Sequence, residues 1–279
     1  MIKIVTDVSA LIPKAKAKKY NITIVPLTVT IGDKTYQDPI SINGKQLIDF
    51  MNTHKKPFPK TSQPSVGLFL DAYNKLTADG NQVLSIQMTK LLSGTVDAAR
   101  EAARLCKGKV TVIDSQYIDQ SMGHMVLVAA KMAQSGKYTM DQILDKLNKV
   151  RDKSELYIGA STLDNLVKGG RISRATGFLT HLLNLHVVFT LSDKDLHLDI
   201  KGRGKKTFYR WFKRFIKHIK GTDLSFIGIS YTGSTVFPKF CADHLHEMYP
   251  DLPISFLYTS AIVSNHTGNN AFAVMICKK

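Results

Sequence analysis

The stretch Gln82–Ser115, QVLSIQMTKLLSGTVDAAREAARLCKGKVTVIDS, decides the fold. QVLSIQM is an apolar run of strand length. A turn follows in LLSGT, Leu91 to Thr95, and then a helical pattern running through Glu101–Ala103 to Cys106. KVTVIDS is a second strand. Strand, helix and strand in that order pair in parallel through a right-handed crossover. In such sheets ligands bind outside the carboxyl ends of the strands, and LLSGT lies at that end.

The same alternation extends on both sides. Before it, IKIVT is a buried strand with a turn at Thr6–Ser9. SALIPKAKAKKY is a short helix interrupted or delayed by Pro13, and ITIVPLTVTIG is one long β-branched strand. NGKQLIDFMN and PSVGLFLDAYNKL place apolar residues at helical spacing. After it, MGHMVLVAAKMAQSG is a helix ending at Gly136, and TMDQILDKLNKVRDK is a helix with a Thr cap. Around Lys153 the texture changes. ELYIGAS is a strand, HVVFTLSDKDLHLDIKG a hairpin about SDKD, and LSFIGISYTG, ISFLYTS and AFAVMIC are further strands mixed with helices. The expectation is an α/β protein of two domains. Residues 1–152 would form a mostly parallel sheet flanked by helices, and residues 153–279 a mixed α/β sheet.

Composition narrows the class. A chain of 279 residues with 44% hydrophobic and 22% charged residues has the make-up of a soluble globular protein. Its longest apolar stretches, such as MVLVAAKM, are too short to span a bilayer. MIKIVTD enters a strand at once, so no signal peptide is expected. Cys106, Cys241 and Cys277 are scattered without C-x-x-C spacing, which points to a reducing, cytoplasmic setting and away from disulfides or zinc. The net charge of +16 admits anionic partners: nucleic acid, an acidic protein face, phosphate or anionic lipid. A solvated basic surface would account for it equally well.

Four constellations could carry chemistry. KTSQPS, Lys60 to Ser65, and LLSGT each set hydroxyls beside Pro or Gly at a helix start. Ser65 and Ser93 both suit an N-cap, which alone would explain them. Helix starts also offer free N–H groups and partial positive charge, and two on one sheet edge would cradle an anion. LLSGT lacks the G-x-S-x-G elbow of a serine hydrolase. IVSNHTGNNAF, Ile262 to Phe272, reads as a tight polar loop. His266 there is either a surface histidine or a hydrogen-bond donor whose tautomer its Ser, Thr and Asn neighbours set. In LVKGGRISR, Gly169 and Gly170 end a helix and Arg171 projects from the turn. From Lys201 to Lys220 nine cations surround an apolar stripe, Phe208, Trp211, Phe212, Phe215, Ile216 and Ile219. That stripe predicts an amphipathic helix packed on the core, with a membrane-surface or nucleic-acid-binding helix as the alternative.

Taken in order, TDVSA, KTSQPS, LLSGT, VIDS, STLDNLVKGGRIS, KGRGKK and NHTGNNA resemble the landmarks of the DegV family of bacterial fatty-acid-binding proteins. They run from Thr6 to Ala271, nearly the whole chain. The resemblance implies two α/β domains with one long acyl chain in a tunnel between or within them. It implies no catalytic residue, no metal and no cofactor, the bound long-chain fatty acid being the ligand. A separate fatty acid kinase, similar to dihydroxyacetone kinases, would phosphorylate the carboxylate for phospholipid synthesis. Carried onto this sequence, Thr61, Ser62, Ser93 and His266, with Thr267 and the amides of Gly94 and Thr95, would hold the carboxylate. Arg171, Arg203 and Lys205 would meet the kinase or the new phosphate. A transient contact with an anionic membrane surface fits the same reading, and no nucleic acid is expected.

The chain departs from the family's pattern in three places. HTGNNA stands where HTGPGA is usual, His124 replaces a more usual glycine in DQSMGHMV, and no Lys-Pro precedes HVVFTL. His124 is at a position from which it could narrow or re-route the tunnel. Two rival readings stay open at this point. One is a hydrolase using Ser93 or Ser65 with His266, and the other a nucleic-acid binder using the 201–220 helix.

Overall fold

The computed structural model describes residues 1–54, 56–176 and 185–279. The first strands are β1 (Ile2–Asp7), β2 (Ile22–Val25), β3 (Leu27–Ile31), β4 (Lys34–Asp38), β5 (Lys60–Ser62), β6 (Gln82–Gln87) and β7 (Val110–Asp114). Among them run α1 (Lys14–Lys19), α2 (Gly44–Thr53), α3 (Val66–Thr77) and α4 (Thr95–Leu105). Then come α5 (Asp119–Ser135), α6 (Met140–Asp152), β8 (Ser154–Ala160), α7 (Asp164–Lys168), β9 (Ala175–Thr176), β10 (His186–Leu191) and β11 (Leu196–Gly202). The chain ends with α8 (Lys206–Ile219), β12 (Leu224–Tyr231), α9 (Val236–Met248), β13 (Ile254–Tyr258), α10 (Ala261–Thr267) and β14 (Phe272–Lys278).

Strand, helix and strand over 82–115 form as the pattern predicts. β6 and β7 pair in parallel inside a four-stranded sheet of order β2-β1-β6-β7. Alternation divides each strand between two cores. Val5 and Val83 pack under α3 and α4 with Phe69, Tyr73 and Ala99, whereas Ile4, Leu84 and Ile86 pack against α5 with Met122 and Val126. A second sheet is mixed, in the order β13-β12-β14-β8-β10-β11-β9. Its strands alternate in the same way: Phe272, Val274 and Ile276 meet the aromatic face of α8, and Ala273, Met275 and Cys277 face the larger core. Helix α5 therefore lies between the two sheets and packs on both. The expected partition at 152/153 falls between α6 and β8, while the larger core draws on both sides of it.

Helix α8 buries Phe208, Trp211, Phe212, Phe215 and Ile219 and leaves Lys206, Arg210, Lys213, Arg214 and Lys217 exposed. Its apolar stripe is thus core, as the packing reading expects. The three cysteines are free and buried. No helix among the described residues is long and apolar enough to cross a membrane.

Three local expectations are corrected. ITIVPLTVTIG is not one strand. Pro26, which has no N–H to give to a ladder, splits it into β2 in the parallel sheet and β3 in a separate antiparallel sheet of order β4-β3-β5. The β3–β4 hairpin turns on Gly32-Asp33, with Gly32 at φ +59° as such a two-residue turn requires. Within KTSQPS, Lys60–Ser62 is a strand and not part of a helix start. Only Ser65 caps α3, accepting from the Leu68 amide at 3.2 Å. Finally, IVSNHT is helix and not loop. Ser260 caps α10, and the buried Asp38 carboxylate accepts the Ile262 amide at 3.0 Å, so side chains outside the segment supply the helix start. Of the third family departure, residues 177–184 just before HVVFTL lie outside the described residues.

Candidate functional site

Strand β5 hangs on β3, with Thr61 opposite Val29, and this pairing carries Thr61 towards α10. His266 occupies the last turn of α10, and its Nε2 lies 2.9 Å from Thr61 Oγ1. Its Nδ1 is buried without a hydrogen-bond partner and faces Gly169, the C-cap of α7. A Cβ added at Gly169 would sit 2.1 Å from that nitrogen, so only glycine leaves room for the ring. Burial, and secondarily the Arg171 charge, push the His266 pKa down to about 4. The imidazole is therefore neutral at physiological pH, with one N–H to donate.

Ser93 stands one residue earlier than the cap expected of it. Gly94 holds the N-cap position of α4, and Ser93 Oγ accepts the Thr95 amide at 3.3 Å while lying 2.9 Å from Thr95 Oγ1. Gly94 does allow a close approach, but by the side chain of Gln63: an added Cβ would meet its Oε1 at 2.3 Å. Thr95 is buried and its amide already engaged. Arg171 ties the α7 end to this turn, donating from Nε to the Leu92 carbonyl at 3.1 Å and from Nη1 to the Gly169 carbonyl at 2.7 Å.

These groups converge on one end of a largely apolar cavity. Thr61, Ser62, Gln63, Ser93, Arg171, His266 and Thr267 form that end. The rest of the wall is hydrocarbon, including Leu27 and Met88 from the first half of the chain and Ile158, Phe189 and Ile262 from the second. Such a container, apolar with a few convergent polar groups at one end, matches an amphiphile with a small anionic head. Thr267 contributes less than its position suggests, because its hydroxyl donates back to the Val263 carbonyl at 2.9 Å. Ser93 and Arg171 also line an open polar basin, together with Lys90, Gly94, Gly170 and Arg174.

The structure does not bring every expected residue here. Arg203 and Lys205 are exposed at the β11–α8 turn, and among the described residues neither lines the cavity or the basin. Lys205 instead borders a separate depression beside Phe208 and Val236. His124 stacks on Phe226 at 4.5 Å and borders another depression, and it is not among the residues that line this cavity. Asn269 and Asn270 shape the turn after α10 by bonding to Asn52 and to the Ser234 amide. Among the described residues, neither serine of the hydrolase alternative is hydrogen-bonded to His266. Ser93 bonds to Thr95, Ser65 caps α3, and the histidine's partner is Thr61. Residues that sequence reasoning missed include Gln63, Leu92, Leu166 and Phe189. Gln63 lay inside a motif already singled out, whereas Phe189 carried no signal beyond its place in a strand.

A family profile described as "Uncharacterised protein, DegV family" matches residues 1–279. A DegV domain-containing protein of Streptococcus pneumoniae serotype 4 is 46% identical over 275 residues, 99% of this chain and 98% of the relative. One from Lactococcus lactis is 42% identical over 99% of this chain and 98% of its own length. Among solved structures, a fatty-acid-binding DegV family protein of Thermus thermophilus superposes with a TM-score of 0.87 at 29% identity, covering 100% of this chain and 99% of that one. DegV of Bacillus subtilis, described as a fatty acid binding protein, superposes with a TM-score of 0.90 at 25% identity and the same coverage. The landmarks from Thr6 to Ala271, the sheet topology and these matches agree, and the chain belongs to the DegV family.

Proposed function

We propose that this protein binds one long-chain fatty acid and presents its carboxylate to a separate fatty acid kinase in the cytoplasm, with residues 1–152 and 153–279 as the two halves around the ligand. The observation that carries the reading is the hydrocarbon cavity closed at one end by Thr61, Ser93 and the neutral His266. The fatty-acid binding of the Thermus and Bacillus relatives supports it. In this reading the Thr61 and Ser93 hydroxyls and one His266 N–H donate to the carboxylate, each bond contributing about 1.5–3 kcal/mol. The tail adds roughly 0.8 kcal/mol per buried methylene and dominates affinity. The head can then be held by neutral donors and stay open to the polar basin. There Arg171 and Arg174 suit the negative charge that phosphorylation would add. Arg203 and Lys205, remote from the cavity, serve in this reading as contacts for the kinase, and the basic surface allows a passing contact with anionic lipid.

Native mass spectra before and after organic extraction test the binding. The expected result is loss of one fatty-acid mass per chain, and rebinding of added fatty acid that Thr61→Val or Ser93→Ala weakens about tenfold each. A protein that carries no lipid and takes up none on incubation would sink the reading.

A further inference from the structure

A depression that shares no lining residue with the cavity forms where α5 meets the turn into α1 and the strands β12 and β13. Close packing fixes its walls. A Cβ added at Gly123 would lie 2.3 Å from the Ala10 carbonyl oxygen, so glycine there lets the turn press on α5. One residue further on, the His124 ring stacks on Phe226 with centroids 4.5 Å apart and planes 18° apart. Leu11, Pro13, Leu127 and Leu257 add a hydrocarbon lining.

The polar side chains of this lining differ in what they have free. Gln120 is engaged, its Nε2 donating to the Ile229 and Ser255 carbonyls and to Ser230. His124 and Lys16 are not. Among the described residues neither side chain has a hydrogen bond or an ion pair. Burial, and then the charges of Lys131, Lys146 and Lys16, push the His124 pKa down to about 4. The imidazole is therefore neutral at physiological pH and keeps one N–H to donate. The three lysines come from α5, α6 and α1, and every charge acting on the ring is positive. Positive potential thus gathers over an apolar floor, with no carboxylate of the protein to answer it.

We infer that this depression is a further binding site, for a small organic carboxylate whose charged end meets His124 and Lys16 and whose hydrocarbon lies on Leu127, Phe226 and Leu257. An inorganic anion would leave the apolar lining uncovered, and an uncharged alcohol would leave the lysine field unanswered. Histidine stands here where the family's more usual residue is glycine, so the site is a property of this chain. It stands whether or not the cavity takes a fatty acid.

The test follows the imidazole signals of His124 in NMR spectra of the intact chain, assigned by their loss in His124→Gln. The His266 signals report on the cavity separately. Butanoate is expected to move the His124 signals saturably and to raise the pKa of the ring, because a bound carboxylate favours imidazolium. Lys16→Gln, a change at an exposed side chain, is expected to weaken that binding roughly fivefold and leave the fold intact. Butan-1-ol and inorganic phosphate at the same concentrations should move the signals far less. No saturable shift with butanoate overturns the site. Equal binding of butan-1-ol overturns the anion, and equal binding of phosphate overturns the part given to the hydrocarbon wall. Unchanged butanoate binding in Lys16→Gln removes the lysine from the site.

Discussion

Gly169→Ala is expected to weaken fatty-acid binding by roughly a hundredfold and to lower the unfolding midpoint by the modest amount that overpacking costs. Gly169 has φ −80° and ψ −5°, a right-handed conformation that alanine adopts freely. Backbone strain is therefore not the issue, and the smaller freedom of the unfolded chain even favours alanine slightly. The obstacle is the added methyl, which would lie 2.1 Å from His266 Nδ1 and 2.8 Å from its Cε1. The ring has to move by roughly an ångström or more. That motion breaks the 2.9 Å contact between Nε2 and Thr61, takes the imidazole donor out of place and leaves the Thr61 hydroxyl without the partner that orients it. A charge-assisted bond lost together with the orientation of its neighbour amounts to up to about 3 kcal/mol, hence the hundredfold. Gly170→Ala is the control. Gly170 sits at φ +73° with nothing within 4 Å of an added Cβ, so alanine there costs about 1 kcal/mol of stability and leaves affinity alone. Calorimetric titration of both variants distinguishes the cases. Equal affinities in the two would remove His266 from the head-group site.

The second large effect is on stability against pH. Asp38 is 1% exposed, and burial raises its pKa from 3.8 to about 6, with the nearby Asp7 charge pushing the same way. A carboxyl with a raised folded-state pKa holds its proton more tightly folded than unfolded. Its contribution is fully present below the unfolded value and is lost as pH rises through the folded one. A shift of about two units corresponds to roughly 3 kcal/mol. The unfolding free energy of the unsubstituted protein minus that of Asp38→Asn should therefore fall by about 3 kcal/mol between pH ~4 and pH ~7. Asp7 and Asp119 are shifted upwards too, but they are present in both proteins and largely cancel in the difference. Urea titrations at a series of pH values give the two curves, and parallel curves would remove Asp38 as the source. The cost has a structural use, since the same carboxylate holds the start of α10, whose last turn carries His266. Stability is given up at neutral pH to fasten the helix that closes the cavity.

Much of this architecture was legible because its causes are local. The parallel pairing around 82–115 follows from apolar runs of strand length separated by one helical repeat. The packing of α8 follows from six apolar residues at helical spacing on a basic background. Thr61, Ser93 and His266 were visible as hydroxyls and a histidine in Gly- and Pro-marked turns, and in order they carried the family resemblance. The caps at Ser65, Thr139 and Gly136 were equally plain.

What stayed hidden depends on partners distant in the chain. Pro26 could have been a bulge within one strand, and only the placement of β3 against β4 and β5 makes it a break between sheets. The α10 segment looked like a loop because one of its N-terminal partners, Asp38, lies more than two hundred residues away. Gly169 read as an ordinary helix end until His266 was found against it. The amino-acid sequence by itself determined which segments are strands and helices and which turns carry hydroxyls, because backbone preference and side-chain periodicity act over a few residues. The tertiary structure alone decided where the cavity lies and which strand residues wall it. A cavity exists wherever facing surfaces from different elements fail to interdigitate, and no single segment encodes that gap.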